Sequence, residues 1–192
     1  EILALKELNY GVYCFDSAWL WRRLPDVRPT PPKNELYLTD MVGLAVADGL
    51  PVEVVTIADV GEVQGVNTRA HLARSERLMR ARINEGHMAA GVTFIDPATS
   101  YIDGMVVIGQ DTVVQPNTHL RGATRVGRDC LLGPNTIMAD SLIGDRCEIV
   151  ASVVEGARVE DDVHMGPFAH LRAGAHLEQG VHMGNFGEVK NA

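Results

Sequence analysis

The sequence predicts an α/β segment, a connecting helix and then a left-handed parallel β-helix built from hexapeptide repeats. Two observations predict the β-helix: from residue 102 onwards an apolar residue recurs at every sixth position, and a glycine often follows it. Because six is even, every sixth side chain of an extended chain points the same way. Three such strands close a triangular coil of about eighteen residues, and successive coils stack at about 4.8 Å.

The six-residue period continues from Ile102 to Val189, with one-residue slips before Ile143 and again around Val154 and Val159. Glycines such as Gly109 and Gly127 directly follow an apolar position, where the strand is expected to turn sharply. A chance alternation in an ordinary β-sandwich does not explain a period held over this length, so residues 91–192 are predicted to form the β-helix.

Residues 1–66 mix strand and helix patterns and are predicted to form the α/β segment. Apolar stretches predict strands at Leu8–Phe15 and Val52–Ile57. Between them, one helix is expected from an Asp16 cap to Leu24, where a proline follows, and another over Thr39–Ala47, closed by a glycine. Alternating strands and helices indicate an α/β layer.

Residues 67–90 are predicted to form one connecting helix. The stretch Arg69–Ile83 contains no glycine or proline and is rich in alanine, leucine, arginine and glutamate. Either Asn67 or Thr68 is a plausible N-cap, and Gly86 is expected to end the helix. Since its apolar positions are sparse, this helix is expected to bridge two bodies instead of filling a core.

Composition narrows the class of protein. The net charge of −8 argues against non-specific nucleic-acid binding, which needs a basic field, and no apolar run is long enough to span a membrane. The three cysteines, Cys14, Cys130 and Cys147, lack the spacing of a zinc site or a disulfide framework and indicate a reducing cytoplasm. The chain opens without Met or a secretory signal, so its start is expected to be missing.

The coil period turns sequence spacing into spatial contact. Arg172 and Lys190 are one coil apart, and each follows an inward position, so they are expected to stack on one outer face. Like charges placed directly opposite on a sheet repel. Either a bound phosphate or diphosphate relieves that repulsion, or the two side chains turn apart into water, and the spacing alone leaves both open.

Four histidines, His164, His170, His176 and His182, also recur at six and are expected to face outwards. Only His164 and His182 are expected to stack on the same side of the triangle. Two imidazoles without a nearby carboxylate or thiolate make a poor metal site, so solvated histidines are the preferred interpretation.

Two asparagines before the β-helix are candidate ligand residues. Asn67 stands where a strand pattern meets the connecting helix, so its amide oxygen can serve a metal or sugar, or can cap the helix. Asn9 is polar inside an apolar stretch and is held either by the backbone or by a ligand.

Taken together, six segments resemble the bacterial bifunctional enzymes that make UDP-N-acetylglucosamine (UDP-GlcNAc). These enzymes combine an N-acetylglucosamine-1-phosphate uridyltransferase with a glucosamine-1-phosphate N-acetyltransferase. In chain order the segments are Glu7–Tyr13, Glu35–Asp40, Glu62–Asn67, Gly91–Pro97, Gly166–Arg172 and Gly184–Lys190. The resemblance covers essentially the whole chain, and the combination of segments is far more specific than any one of them.

The resemblance implies functions for both parts of the chain. Asn9 would bind the N-acetylglucosamine part of the uridyltransferase product, and Asn67 would bind the same product and share Mg²⁺ with an aspartate. Arg172 and Lys190 would bind the sugar nucleotide at the acetyltransferase site, with acetyl-CoA as co-substrate. Residues 1–66 would be the C-terminal part of a Rossmann-like nucleotidyltransferase domain. Sugar phosphates and UTP would be further ligands, and the β-helix would form a cytoplasmic homotrimer.

Four residues depart from the family pattern: Tyr10 stands for threonine, His170 for arginine, Ala173 for proline and Gly187 for valine. The acetyl-transfer histidine is expected beyond Ala192 and the Mg²⁺-binding aspartate before Glu1. The sequence is therefore expected to be an internal fragment, inactive by itself in both reactions. The alternatives are another sugar-1-phosphate nucleotidyltransferase with a regulatory β-helix tail, or a β-helix that serves only for oligomerisation.

Overall fold

A computed structural model describes residues 9–192, which divide into two compact units that meet between His71 and Leu72. Its helices are α1 (Ser17–Arg23), α2 (Asp40–Ala47) and α3 (Arg69–Ala89), with short 3-10 helices at Leu24–Asp26, Val60–Val63 and Pro97–Thr99. None of the helices in this part of the chain has the length and apolar character needed to cross a membrane.

Helices α1 and α2 form the small core of the first unit. As predicted, Asp16 caps α1, since its carboxylate accepts a hydrogen bond from the Trp19 backbone N–H at 2.8 Å. Trp19 is buried together with Met41 and Ala45 of α2. The Trp19 indole N–H donates to Asp48 at 2.9 Å, so the buried ring keeps a hydrogen-bond partner.

The two predicted strands of the first unit are wrong for the described residues. Residues 9–15 and 52–57 belong to no β-ladder, and the bridge between Thr30 and Glu35 is isolated; Leu8 lies outside the described residues. Side chains expected to be buried are instead more than four-fifths exposed: Val12, Val54 and Val55. An apolar stretch becomes a strand only where a neighbouring strand takes up its backbone hydrogen bonds, and the described residues of this unit supply none.

Helix α3 is longer than predicted. It passes through Gly86, because a single glycine within a helix costs only about 1 kcal/mol, and it stops before Gly91, whose φ is 94°. At its start the Thr68 hydroxyl accepts from the His71 backbone N–H at 3.1 Å, so Thr68 is the N-cap.

The later turns of α3 contact the first coil through polar groups. Asn84 is fully buried, and its side-chain amide donates to the carbonyls of Pro97 and Ser100 at 2.9 and 3.1 Å. The Arg80 guanidinium lies over the Tyr101 ring, 4.2 Å from its centroid. These contacts explain how a helix with few apolar residues still packs on the second unit.

Seventeen short parallel strands form three sheets in the second unit. The first sheet contains β1 (Thr93–Phe94), β4 (Val113–Val114), β7 (Leu131–Leu132), β10 (Glu148–Ile149), β13 (His164–Met165) and β16 (His182–Met183). The second contains β2 (Tyr101–Ile102), β5 (His119–Arg121), β8 (Ile137–Ala139), β11 (Val153–Glu155), β14 (His170–Leu171) and β17 (Glu188–Val189). The third contains β3 (Val107–Ile108), β6 (Arg125–Val126), β9 (Leu142–Ile143), β12 (Arg158–Val159) and β15 (His176–Leu177). This arrangement confirms the predicted left-handed parallel β-helix.

The strand register also confirms the phase slips. Leu171 pairs with Val189, 18 residues later, as the regular repeat requires. Leu132 pairs with Ile149 after 17 residues, and Ile149 with Met165 after 16. A slip therefore shortens a corner while the ladder between coils stays in register.

The apolar positions of the repeat form the core, and seven of them have no exposed surface: Val114, Leu120, Leu132, Met138, Ile149, Val154 and Leu171. Beside them runs a column of small polar residues that links successive coils. For example, the Thr112 hydroxyl accepts from the Cys130 backbone N–H at 3.1 Å, and the Cys130 sulfur accepts from the Cys147 N–H at 3.4 Å. The contact with Cys130 and burial raise the pKa of Cys147, which suits a structural thiol and not a nucleophile.

The glycines of the repeat have a different role from the one predicted. Gly127 does not need a positive φ; a Cβ at this position would lie 2.5 Å from the Gly144 carbonyl oxygen in the next coil. At Gly184 the same repeat position has open space within 4 Å. Close approach between coils, and not a sharp turn, is therefore the reason for glycine at Gly127.

Candidate functional site

Arg172 and Lys190 lie in adjacent coils at the end of the second sheet. Leu171 and Val189, which precede them, are register partners, and the Arg172 backbone N–H donates to the Val189 carbonyl at 2.9 Å. The two cationic residues are therefore neighbours across the ladder, as the coil spacing predicted. Ligand binding by them stays a prediction.

Arg172 has an acidic partner that the sequence analysis did not consider. Its Nη1 donates to Oε1 of Glu188 at 3.1 Å, across adjacent coils. The side chain therefore neither turns freely into water nor waits unpaired for an anion. The two side chains are 45% and 57% exposed, and an ion pair this open contributes little to stability. An incoming anion can therefore compete for the guanidinium at small cost.

Glu155 and His170 complete this group of side chains. Val153 pairs with His170, and His170 pairs with Glu188, so three strands present charged or titratable groups side by side. His170 Nε2 lies 3.1 Å from Oε2 of Glu155. We call Glu155, His170, Arg172, Glu188 and Lys190 the Arg172 patch.

Continuing the register by one residue places Glu155 directly beside Arg172, just as Glu188 is directly beside His170. Yet both pairs form diagonally, Glu155 with His170 and Glu188 with Arg172. Coil spacing applied to carboxylates as well as to cations would have found Glu155 and Glu188. The diagonal choice depends on side-chain conformation, which spacing does not contain.

The other outward histidines also have carboxylate partners. The His164 and His182 rings stack as predicted, with centroids 4.7 Å apart and planes inclined by 2°. The expectation that they lack a nearby carboxylate is wrong, because His164 Nδ1 lies 3.2 Å from Glu148 Oε2. On the third sheet, the hydrogen bond between His176 and Glu160 lowers the pKa of that carboxyl group. Within residues 9–192 no group of three or more His, Cys, Asp and Glu side chains can hold a metal ion.

The two candidate asparagines lie in the first unit. Asn9 is exposed; its side-chain oxygen accepts from the Gly11 N–H at 2.9 Å and its amide donates to the Tyr13 hydroxyl at 2.5 Å. Asn67 is also exposed, and its backbone N–H donates to Nδ1 of His71 at 3.4 Å. Asn9 is thus used within its own turn, while the Asn67 carboxamide stays available. The roles predicted for both residues stay predictions.

The fit of Mg²⁺ was judged from the donor set. Mg²⁺ needs near-octahedral oxygen ligands, mainly carboxylates and water. Asn67 offers one amide oxygen, and the described residues bring no metal-holding carboxylate cluster to it. The residues present do not make a Mg²⁺ site, and no step is derived through the ion.

No family model matches the chain. Curated relatives nevertheless align with all or nearly all of it. A protein of Lactobacillus delbrueckii subsp. bulgaricus named "Bifunctional protein GlmU" is 43% identical over 192 residues, which is 100% of this chain. Proteins with the same name from Carboxydothermus hydrogenoformans and Enterococcus faecalis are 46% and 42% identical over 98% and 100% of it. The chain is homologous to a portion of GlmU.

The chain spans 42% of the length of these GlmU proteins. Among solved structures, PerB from Caulobacter crescentus, in complex with CoA and GDP-perosamine, is 14% identical, with a TM-score of 0.24 over 56% of this chain and 60% of that one. A TM-score this low supports no inference about this protein. The GlmU relationship therefore rests on sequence identity along the chain.

Proposed function

We propose that this chain is part of a bifunctional enzyme of UDP-GlcNAc formation, and that its β-helix supplies sugar-phosphate binding for an N-acetyltransferase. The observation that carries the proposal is the stacked pair Arg172 and Lys190, which lies in the two segments that resemble the family's acetyltransferase motifs. Homology to GlmU over the whole chain supports it. Two adjacent cations on one face suit a phosphate or diphosphate, because charge-assisted hydrogen bonds to oxyanions are strong and directional.

In the proposed reaction, acetyl-CoA donates an acetyl group to the amine of glucosamine 1-phosphate. The amine nitrogen attacks the thioester carbonyl, a base accepts the proton released, and CoA leaves as the thiol. Arg172 and Lys190 hold the phosphate and so orient the amine, which lowers the barrier by positioning. We assign no residue of this chain to the base.

We also propose that the first unit belongs to the uridyltransferase part, which joins UMP from UTP to N-acetylglucosamine 1-phosphate. The support is the resemblance of its segments around Asn9 and Asn67, together with the same GlmU homology. In this proposal the Asn67 carboxamide binds the sugar nucleotide, and Asn9 does so after releasing its contact with Tyr13. A cytoplasmic homotrimer formed through the β-helix is part of the same proposal.

A binding titration with UDP-GlcNAc tests the acetyltransferase site. Arg172→Ala and Lys190→Ala are each expected to weaken binding about tenfold, since a charge-assisted hydrogen bond contributes about 1.5–3 kcal/mol. Arg125→Ala is the matched control, because it removes an exposed strand arginine from the third sheet and is expected to leave the affinity unchanged.

Unchanged binding in Arg172→Ala and Lys190→Ala contradicts the proposed site. If UDP-GlcNAc binding then depends on Asn67 alone, the alternative of a nucleotidyltransferase with a regulatory β-helix tail is favoured. Equal weakening in Arg125→Ala also contradicts the proposal, since the effect would then reflect the overall charge of the β-helix.

A further inference from the structure

The Arg172 patch combines four side chains of fixed charge with one that titrates near neutral pH. Arginine and lysine stay positive and glutamates stay negative between pH 5 and 8, whereas histidine is the side chain that ordinarily changes charge there. With a neutral His170, the charges of Arg172 and Lys190 are balanced by those of Glu155 and Glu188. A proton on His170 leaves one positive charge in excess.

His170 lies between the two carboxylates of the patch. Glu155 faces it from β11, with Nε2 and Oε2 3.1 Å apart, and Glu188 faces it from β17 as its register partner. Arg172 follows on its own coil, and Lys190 follows Glu188. These four are the charged groups that face the imidazole from the strands on both sides.

Glu188 has two competing cationic neighbours when His170 is protonated. In the structure it pairs diagonally with Arg172 at 3.1 Å, although His170 is its direct partner in the ladder. An imidazolium gives this carboxylate a second cation to pair with. Arg172 is then freer to donate its hydrogen bonds to a bound anion.

We propose that the protonation of His170 strengthens the binding of a diphosphate-bearing ligand to Arg172 and Lys190, so that this site is proton-linked. The proposal rests on the proposed function, which places a sugar nucleotide at this pair. His170 acts here as a positioning residue and does not touch the reacting atoms. Because binding and protonation are reciprocal, the bound anion also favours the protonated imidazole.

The sign of the effect follows from this linkage. Affinity is highest at low pH, where His170 carries its proton, and falls as pH rises from 5.5 to 8. One added charge acting on a doubly charged diphosphate at about 7 Å corresponds to a three- to tenfold change in affinity at low ionic strength. Salt reduces it, because the patch is exposed.

The experiment is a titration of the full 192-residue chain with UDP-GlcNAc between pH 5.5 and 8, at low and at moderate salt. The diphosphate of this ligand is esterified at both ends and keeps its charge over this range, so the ligand does not titrate. His170→Gln is expected to bind at all pH values with the weak affinity of the native chain at pH 8. His170→Arg is expected to bind at all pH values with its strong affinity at pH 5.5.

His176→Gln is the matched control, since it removes a similar His–Glu pair from the third sheet and is expected to keep the native pH profile. Binding that needs Arg172 but does not change with pH overturns this inference and leaves the proposed function standing. A pH dependence that survives in His170→Gln also overturns it. Binding that ignores Arg172→Ala at every pH overturns the proposed function itself.

Discussion

The β-helix and the first unit differ in where each segment finds its packing partners. In the β-helix, a strand pairs with a strand mostly 16 to 18 residues away, and the same separation recurs coil after coil. In the first unit, the fully buried apolar residues are only Trp19, Met41 and Ala45, contributed by two helices more than one helix length apart in sequence. A repeating sequence carries its own neighbours, whereas a non-repeating stretch depends on contacts that its local pattern does not name.

The difference appears most clearly in matched valines. Val114 and Val154 follow the six-residue period and have no exposed surface, while Val54 and Val55 sit in an equally apolar stretch and are more than four-fifths exposed. Each buried valine gains about 1.5–3 kcal/mol from leaving water, and the exposed ones gain none of it. Apolar character is thus useful for prediction only together with a defined partner.

The largest expected effect tests the close stacking of coils. Gly127→Ala places a Cβ against the Gly144 carbonyl in the next coil and is expected to lower the free energy of unfolding by about 3 kcal/mol. Gly184→Ala is the control at the same repeat position with open space, and is expected to change stability by less than about 1 kcal/mol. Denaturant unfolding followed by circular dichroism measures both. Equal destabilisation of the two variants would show that the glycines serve backbone conformation instead.

A smaller effect is expected from the core of the first unit. Met41 is fully buried, and Met41→Ala is expected to lower local stability by about 2 kcal/mol through the cavity it leaves. Hydrogen exchange should show faster exchange in α1 and α2. Val46→Ala on the exposed side of α2 is the control and should leave exchange unchanged. Unchanged protection in Met41→Ala would mean that these three residues do not form a stabilising core.

The smallest expected effect concerns an exposed ion pair between coils. The Arg146 guanidinium donates to both carboxylate oxygens of Asp162, at 2.6 and 3.0 Å, and with a hydrogen bond from Gln179 it lowers the pKa of Asp162 to about 2. Because this pKa is lower in the folded state, the stabilisation is complete above the ordinary aspartate range and is lost as pH falls from about 4 to about 2.

Carboxyl titration by NMR measures this pKa directly. Arg146→Gln is expected to move the pKa of Asp162 up towards its ordinary value, and Arg125→Gln on the third sheet is expected not to change it. A value that stays near 2 in Arg146→Gln would assign the shift to other groups.

Much of the second unit could be predicted because its geometry repeats. The period predicted the buried positions from Ile102 to Leu177, the slips near Ile143 and the stacking of His164 on His182. The same period placed Arg172 next to Lys190 without any knowledge of homologues. The spacing did not show that Glu148 contacts His164, because carboxylates were not followed along the coils.

The first unit and its helix were predicted less well, for local reasons. Two caps were possible at the start of α3, and only the hydroxyl of Thr68 reaches the N–H of His71. Gly86 looked like a helix end, yet the positive φ needed for a stop occurs at Gly91. Such choices differ by about 1 kcal/mol each, so neighbouring contacts decide them.

The sequence by itself determined that this chain forms a β-helix, which side chains fill it, and that two cations meet on its surface. It could do so because side-chain direction alternates with a period of two and coils repeat at a nearly constant separation. Only the tertiary structure decided how the Arg172 patch pairs. Glu155 lies beside Arg172 and Glu188 beside His170, yet both carboxylates reach diagonally to the other partner. Backbone register sets which residues are neighbours, while long side chains choose among neighbours by conformation and charge, which no spacing records.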